Sequence, residues 1–384
     1  MKGSTVALEP HHEEFRASVR SMALAHVAPI ADELDRTDQF PLPMVDVFGK
    51  MGLIQLSVPE EFGGPGGDVR SACIAREEVA RAGSLALGSL VNQNGIVVQA
   101  LLDSASDELK SRVLPELAEG RSLTCIAITE ADGGSDPAAM TTRAVRDGQD
   151  WVLDGDKQFI TWAGLARYAL VFARTNDQPG AAGISAFLID TDQAGWAVAP
   201  PNRKMGQHGL PNNGVVLEKV RCPAANMVGH EGKGFRAAMH ALHVNRPTVA
   251  AGAVGAAQGA LDYAIKYMKE RYVGGKSLAE FQGLQWIAAE DATLIAAARG
   301  LVYESATLAD EGAPEEQITM ASSMAKLFAA DMVDRVTSDA LQLLGGHGYM
   351  QDHPVERYIR DARLIGIYEG TSQIQKNIIA KRLF

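Results

Sequence analysis

The chain has 384 residues, 46% of them hydrophobic and 22% charged, with a net charge of −11 and a pI near 5.4. That length can bury large cores and fits two or three domains, while the acidic balance argues against a nucleic-acid surface, and no apolar run is long enough to span a bilayer. Three cysteines, Cys73, Cys125 and Cys222, lie far apart with no CxxC pair, which fits a reducing compartment and argues against a disulfide framework or a zinc site.

The first fifteen residues carry no apolar h-region and no Arg-rich presequence, so a cytoplasmic protein without membrane attachment is expected. Residues 10–120 read as helices. In 13–34, Phe15, Val19, Met22, Ala23, Val27 and Ile30 recur with a 3.6 period, and Pro29 is expected to kink or end the first part. Residues 41–52 form a short helix stopped by Gly52, and 59–67 a Gly/Pro-rich loop. Two further helices, 68–82 and 85–102, are separated by Gly83, and Ser104 or Ser106 caps a fifth that ends at Gly120. The polar run Asn92-Gln93-Asn94 sits inside an apolar stretch and has two readings. It lines a pocket, or it satisfies buried backbone.

At Leu123 the period changes from 3.6 to 2. Residues 123–129, 141–146, 151–154, 157–162, 168–173, 184–189 and 215–220 read as strands, and Asp147-Gly148 and Asp154-Gly155 as tight antiparallel turns. The middle segment is therefore expected to be an antiparallel β-sandwich or barrel rather than a βαβ array. From Gly232 the helical period returns. Pro247 is expected to open a long helix through Lys269, and 281–310 and 315–344 are long enough to pack as an antiparallel, four-helix-bundle-like domain. The layout is α+β, with an N-terminal helical domain at 1–122, a β domain at 123–231 and a C-terminal helical domain at 232–384.

Several chemistries are absent from the pattern. There is no GxGxxG after a strand, no GxxxxGK[ST], no GxSxG and no HExxH, and His240 with His243 lacks a third ligand, so no metal is expected. Two stretches remain. In RDARLIGIYEGTSQI, Glu369 lies before a helix that Thr371 or Ser372 can cap, hemmed by Ile365, Ile367 and Ile374. Such a carboxylate serves as a general base with a raised pKa, or simply as an acid placed for the helix dipole. In IAITEADGGSDPAA, residues 126–139, a strand ends in a Gly-rich turn that lets backbone approach a flat ring or a phosphate, or is merely a turn.

IYEGTSQIQ, with GGHGYM and RDAR before it, resembles the C-terminal signature of the acyl-CoA dehydrogenase family, and the likeness spans nearly the whole chain. The resemblance implies α,β-dehydrogenation of an acyl-CoA thioester to the trans-2-enoyl-CoA. Glu369 would remove the α-proton and FAD would accept the β-hydrogen as hydride at N5. Carried over one by one, Ile126, Ile128 and Thr129 touch the flavin edge, and Ser135 reaches the flavin phosphate or the thioester end of the substrate. Ala131 and Asp132 stand where the family has Pro and Gly. Phe159-Ile160-Thr161 resembles the strand whose aromatic shields one flavin face and whose hydroxyl lies near N5. Phe159 replaces the usual Trp, and Trp162 the usual Asn.

Asn245 and Arg246 resemble the start of the helix bordering the active site. Some members place their base just before this Arg, where Asn245 cannot act, so Glu369 is the one base. Arg271, Gln282, Gln342, Gly345 and Gly346 resemble positions that bind the FAD diphosphate and adenine, often across a subunit interface, with Gly274 where Phe is usual. Thr371 and Gln373 carry over as flavin contacts, and Tyr368 and Gly370 as substrate contacts. Leu90, Asn92, Gln93, Val97 and His243 are candidates for shaping the acyl pocket. The family further implies electron-transfer flavoprotein as acceptor, a homotetramer built as a dimer of dimers, and a place in fatty acid β-oxidation. An acyl thioester oxidase, a dehydrogenase of carrier-protein-bound acyl groups and a non-catalytic scaffold of the same fold are the alternatives.

Overall fold

The computed structural model describes residues 8–136 and 139–384, with the side chains of residues 236–238 also left undescribed. Residues 1–7, within the N-terminal stretch read above, and Pro137 and Ala138 of the Gly-rich turn lie outside the described residues.

The N-terminal helices are α1 (Pro10–Met22), α2 (Ala31–Thr37), α3 (Pro43–Lys50), α4 (Val69–Arg81), α5 (Leu85–Gly88), α6 (Gly95–Ser104) and α7 (Asp107–Ala118). The helix expected over 13–34 is interrupted by a π-turn at Ala23–Val27 and a 3-10 turn at Ala28–Ile30 that holds Pro29. Proline lacks the N–H that would continue the ladder, which places the break there. Asp68 caps α4 by accepting from Ser71 N, and Ser106 caps α7 through Leu109 N.

The expected single helix over 85–102 is instead two. Asn92 takes a left-handed φ of 50° between them. Its N–H donates to Leu53 O at 2.7 Å, its Oδ1 accepts from Ser57 N, and Asn94 Nδ2 donates to Ser122 O. Local amide bonding thus outcompetes the helix, and the polar run satisfies the backbone of neighbouring loops.

The middle strands are β1 (Leu123–Ala127), β2 (Arg143–Asp147), β3 (Asp150–Thr161), β4 (Ala166–Arg174), β5 (Ile184–Asp190), β6 (Trp196–Pro201), β7 (Asn212–Pro223) and β8 (Met227–Val228). The sheet runs β6-β7-β3-β2-β4-β5-β8, with β1 pairing β4. Pairing is antiparallel except for β1 on β4 and a single parallel pair, Arg143↔Arg174. Asp147-Gly148 makes the expected hairpin. Asp154-Gly155 does not turn the chain: it forms a register shift inside β3, because β7 pairs β3 on both sides of it and Asp154 accepts from Lys219 N. Strand β6 escaped the period-2 reading because both its faces are largely exposed, so no apolar alternation marks it.

Strand β4 is covered on both sides. Ala169, Val171 and Ala173 share a core with α1, α3 and α4, whereas Tyr168, Leu170 and Phe172 share one with α6 and α7.

The C-terminal helices are α8 (Gly234–Glu270), α9 (Gln282–Asp310), α10 (Glu315–Leu344), α11 (Val355–Ala362) and α12 (Ser372–Leu383). Between α8 and α9 lies the ribbon β9 (Tyr272–Val273) with β10 (Lys276–Ser277). Pro247 does not open α8; it lies inside it. The helix continues because Val249 to Ala264 is buried almost all round, and Thr248 Oγ1 donates to Asn245 O at 2.7 Å beside the missing N–H.

Helix α8 approaches α4 closely: a Cβ on Gly255 would stand 2.1 Å from Glu77 O. Gly255→Ala is therefore expected to lower unfolding free energy by about 1–3 kcal/mol, because neither backbone can yield locally. A shifted denaturant midpoint with an unchanged slope would report it. No described helix is long and apolar enough to cross a membrane.

Candidate active site

Glu369 sits where a 3-10 turn leaves α11 and before Thr371, whose Oγ1 accepts from Ile374 N to cap α12. Its φ is 51° and that of Gly370 is 92°. Two successive left-handed residues are strained for a side-chain-bearing chain, so the surroundings must fix them. Glycine is favoured at 370 by that φ, and a Cβ there would also meet Gln375 Nε2 at 2.6 Å.

The fixing groups come from the helices beneath. Lys326, on α10 and fully buried, donates from Nζ to Tyr368 O at 2.9 Å and Gly370 O at 2.6 Å. Gln375, on α12 and also fully buried, donates from Nε2 to Gly370 O at 2.9 Å and reaches Glu369 O at 3.4 Å. Three successive carbonyls are thus drawn inward.

Glu369 itself is half-buried, with its Oε2 wholly shielded and without a hydrogen-bond partner. Burial raises its pKa; Arg76, Arg246 and Lys326 pull the other way. Among the described residues none of these cations forms an ion pair with it. Arg246 is 4% exposed, reaches Ser322 and Ser323 hydroxyls only at 3.5 and 3.4 Å, and keeps an unpartnered Nε. Burial brings its guanidinium down to about 10. Burial likewise brings Lys326 down to about 8, against the pull of Glu369. Arg76, on α4, donates to Tyr368 Oη at 3.1 Å, and burial pushes that phenol up to about 12. The result is an acidic side chain with cations around it and no hydrogen-bond partner for its Oε2, an arrangement of the kind that suits a general base.

The other sequence candidates fall into three places. Asn245 lies one residue from Arg246 on α8, and Asn92 Nδ2 approaches its Oδ1 at 3.5 Å while Gln93 Nε2 donates to Thr124 O of β1. That polar bridge links the β1 strand to the site helix. His243 hydrogen-bonds Thr319 and His240 pairs with Asp103, so the two imidazoles serve different partners. At the end of β1, Ile126, Ile128 and Thr129 are half-buried, and Ser135 is exposed. Gln158 N donates to Thr129 O, setting Phe159 beside that strand end. Phe159 is 64% exposed and left-handed at φ 59°. Ile160 is buried, and Thr161 Oγ1 accepts from Asn212 Nδ2, leaving its own proton to donate. Trp162 turns inward and packs edge-on to Phe40 at 4.9 Å. An exposed, strained aromatic beside half-buried apolar side chains and two hydroxyls fits a flat heteroaromatic ring.

Arg271, Gln282, Gln342, Gly345 and Gly346 are all exposed, at the far ends of α8 and α10 and the start of α9. Arg271 lies about 37 Å from Arg246 along the axis of α8, at ~1.5 Å per residue. One chain does not bring these residues to Glu369. Thr371 is the α12 cap, and Gln373 is exposed on its first turn.

Two groups escaped the sequence reading. Glu130, just past β1, and Lys157, on β3, form a buried ion pair at 2.8 Å beneath the Gly-rich turn. Glu130 also accepts from Thr141 N and Oγ1 and from Thr142 N, and Lys157 also donates to Ile128 O. Burial opposes it, yet the Lys157 ammonium and these donors hold Glu130 down to about 2. The second group is Arg76, Lys326 and Gln375 around Glu369. Lys326 and Lys157 were detectable as charges on otherwise apolar faces; Gln375 carried no such signal.

The family models for the acyl-CoA dehydrogenase N-terminal, middle and C-terminal domains match residues 9–121, 125–220 and 232–384. The chain is 42% identical over 377 residues to the protein named "Probable acyl-CoA dehydrogenase fadE25" of Mycobacterium leprae, covering 98% of this chain and 96% of that one. Butyryl-CoA dehydrogenase from Megasphaera elsdenii superposes with a TM-score of 0.95 at 33% identity, covering 98% and 99% of the two chains. A glutaryl-CoA dehydrogenase from Mycobacterium smegmatis, solved in complex with FADH2, does so at 0.89 and 30%, covering 98% and 95%. Fold and site together define an FAD-binding oxidoreductase. The chain belongs to the acyl-CoA dehydrogenase family.

Proposed function

We propose that this protein oxidises an acyl-CoA thioester to its trans-2-enoyl-CoA, with Glu369 as the general base. The observation that carries the reading is the shielded, unpartnered Oε2 of Glu369 on a doubly left-handed turn. A thioester α-C–H is a weak acid and becomes removable only when its carbonyl oxygen is polarised by fixed donors. Glu369 takes that proton, and its own backbone N–H, which points opposite to the clamped Tyr368 carbonyl of the same peptide, would be the donor the chain supplies. Arg246, Arg76 and Lys326 oppose the rise that burial gives its pKa and so favour the ionised base.

When bound, FAD supplies the acceptor for the β-hydrogen. Ile126, Ile128, Thr129, Ser135, Phe159, Ile160 and Thr161 would hold its ring side, with Thr371 and Gln373 beside the base. Arg271, Gln282, Gln342, Gly345 and Gly346 would hold the dinucleotide end of a partner subunit's FAD. Their distance from Glu369 supports that assignment, and a dimer of dimers belongs to the same reading. Ser135, Asn245, Arg246, Tyr368 and Gly370 would border the thioester. Electron-transfer flavoprotein as acceptor, a cytoplasmic location and a role in β-oxidation belong to the same reading.

Purified protein is expected to be yellow and to bleach anaerobically with at least one member of a panel of acyl-CoAs varied in length and branching. Steady oxygen consumption with peroxide release would identify an oxidase instead. Bleaching only with an acyl group on a phosphopantetheinyl protein would identify the carrier-bound case.

A further inference from the structure

We propose that Lys326 is a positioning residue for the catalytic turn: its ammonium clamps the carbonyls on both sides of Glu369, and its charge favours the ionised base. The inference rests on Glu369 being the base. Three observations support it.

First, the geometry is a built clamp. Nζ lies 2.9 Å from Tyr368 O and 2.6 Å from Gly370 O, while the intervening Glu369 carbonyl is left to Gln375. A single cation thus spans the residue whose side chain does the chemistry. Second, the clamped residues are the strained ones. Glu369 and Gly370 both hold positive φ, and a left-handed pair of this kind persists only where surrounding bonds over-determine it. Charge-assisted donors are the strong ones available for that purpose. Third, the location is costly for an ammonium. Lys326 is fully buried on α10 among Ala325, Ala329, Ala330 and Val333. An apolar residue would pack there more cheaply, and burying an ammonium needs a compensating partner. The partners are two backbone carbonyls rather than a carboxylate, so Glu369 remains unpaired.

The charged and titratable groups facing Glu369 are Arg76 from α4, Arg246 from α8, Lys326 from α10 and its neighbour Tyr368. Arg76 is engaged by the Tyr368 hydroxyl and Arg246 approaches two serines. Lys326 alone of the three grips the turn itself, so its removal changes both the position and the ionisation of the base. A residue that only fills space would change neither.

The test compares Lys326→Met, which removes clamp and charge, with Lys326→Gln, which keeps one donor and removes the charge, and with Glu369→Gln. Each is purified with its FAD, and anaerobic bleaching by a reactive acyl-CoA is followed from acid to alkaline pH. In both Lys326 variants the acid limb of the rate profile is expected to move up by at least about one pH unit, the size of shift a nearby opposite charge produces. At neutral pH the rate falls ~10–10²-fold in Met, as a misplaced base predicts. It falls less in Gln, and acyl-CoA affinity changes little in either. A Met or Gln variant with a full FAD complement, a parent-like rate and an unmoved acid limb would overturn the proposal. So would a rate loss that FAD loss alone accounts for. Should Met fail to fold, the acid limb of the Gln variant decides. Failure of the base reading looks different: Glu369→Gln itself would then bleach at the parent rate.

Discussion

Lys157→Met is expected to destabilise the protein by about 3–5 kcal/mol at neutral pH, because it strips a buried carboxylate of its cation. Glu130 is 6% exposed and Lys157 1%. With the lysine gone, Glu130 keeps Thr141 N, Thr141 Oγ1 and Thr142 N, so the loss should fall toward the lower figure.

The pH dependence has a definite sign. In the parent, Glu130 has a folded pKa of about 2 against an ordinary value of 4.5. The stabilisation from its ionised state is present above the ordinary value and lost as pH falls through about 2. In Lys157→Met the carboxyl loses the ammonium that lowers its pKa, so the variant has less of this stabilisation to lose as pH falls and the gap to the parent narrows. Replacing both partners, Glu130→Gln with Lys157→Met, should recover part of the loss, since neither side is then a stranded charge. Denaturant unfolding of the parent, both single variants and the double variant at pH 7 and pH 5 checks all of this. Equal midpoints at pH 7 would show that the pair anchors nothing. Because the pair sits under the Gly-rich turn and binds Ile128 O, the single variant should also release FAD more readily.

Much of this molecule was legible from residues alone, and the reasons are physical. Long helices with a clear 3.6 period came through: 315–344 and the Thr371-capped helix after Glu369 stand where expected. What local pattern could not show was competition from tertiary partners. Pro247 is a good first-turn residue in isolation, yet α8 runs through it because the Ala- and Val-rich turns that follow are buried against α4 and α10. Asn92 ends a helix because its amide and N–H serve Leu53 and Ser57, which are distant in sequence. Asp154-Gly155 reads as a hairpin until β7 is known to pair across it.

The site divides in the same way. Glu369, Arg246 and the β1 turn carried recognisable motifs. The groups that fix them, Lys326, Gln375, Arg76, Glu130 and Lys157, act through backbone carbonyls and long-range pairs, so that even where Lys326 and Lys157 stand out as charges on apolar faces their partners do not. The separation of Arg271 and Gln342 from Glu369 appeared only once α8 and α10 were seen as unbroken rods.

Glu369→Gln should separate chemistry from binding and from stability. The amide is nearly isosteric, and nothing in the turn's own hydrogen bonding uses the carboxylate oxygens: the clamps act on the carbonyls of residues 368–370. FAD and acyl-CoA should therefore bind as before. Stability should hold or rise. A carboxyl whose folded pKa is raised contributes stability that is fully present below its ordinary value and is lost as pH rises through the raised one, and the neutral amide escapes that loss. The rate of α-proton removal should fall by ~10²–10⁴, the usual worth of a positioned base, since Asn245 offers no substitute.

The most direct test of the central claim is rapid anaerobic mixing of acyl-CoA with the oxidised, FAD-loaded Glu369→Gln protein, following loss of the yellow colour, with ligand affinity measured on the same sample. Unchanged affinity with bleaching at least ~10²-fold slower than the parent is the expected result. Bleaching at close to the parent rate would mean that another group removes the α-proton.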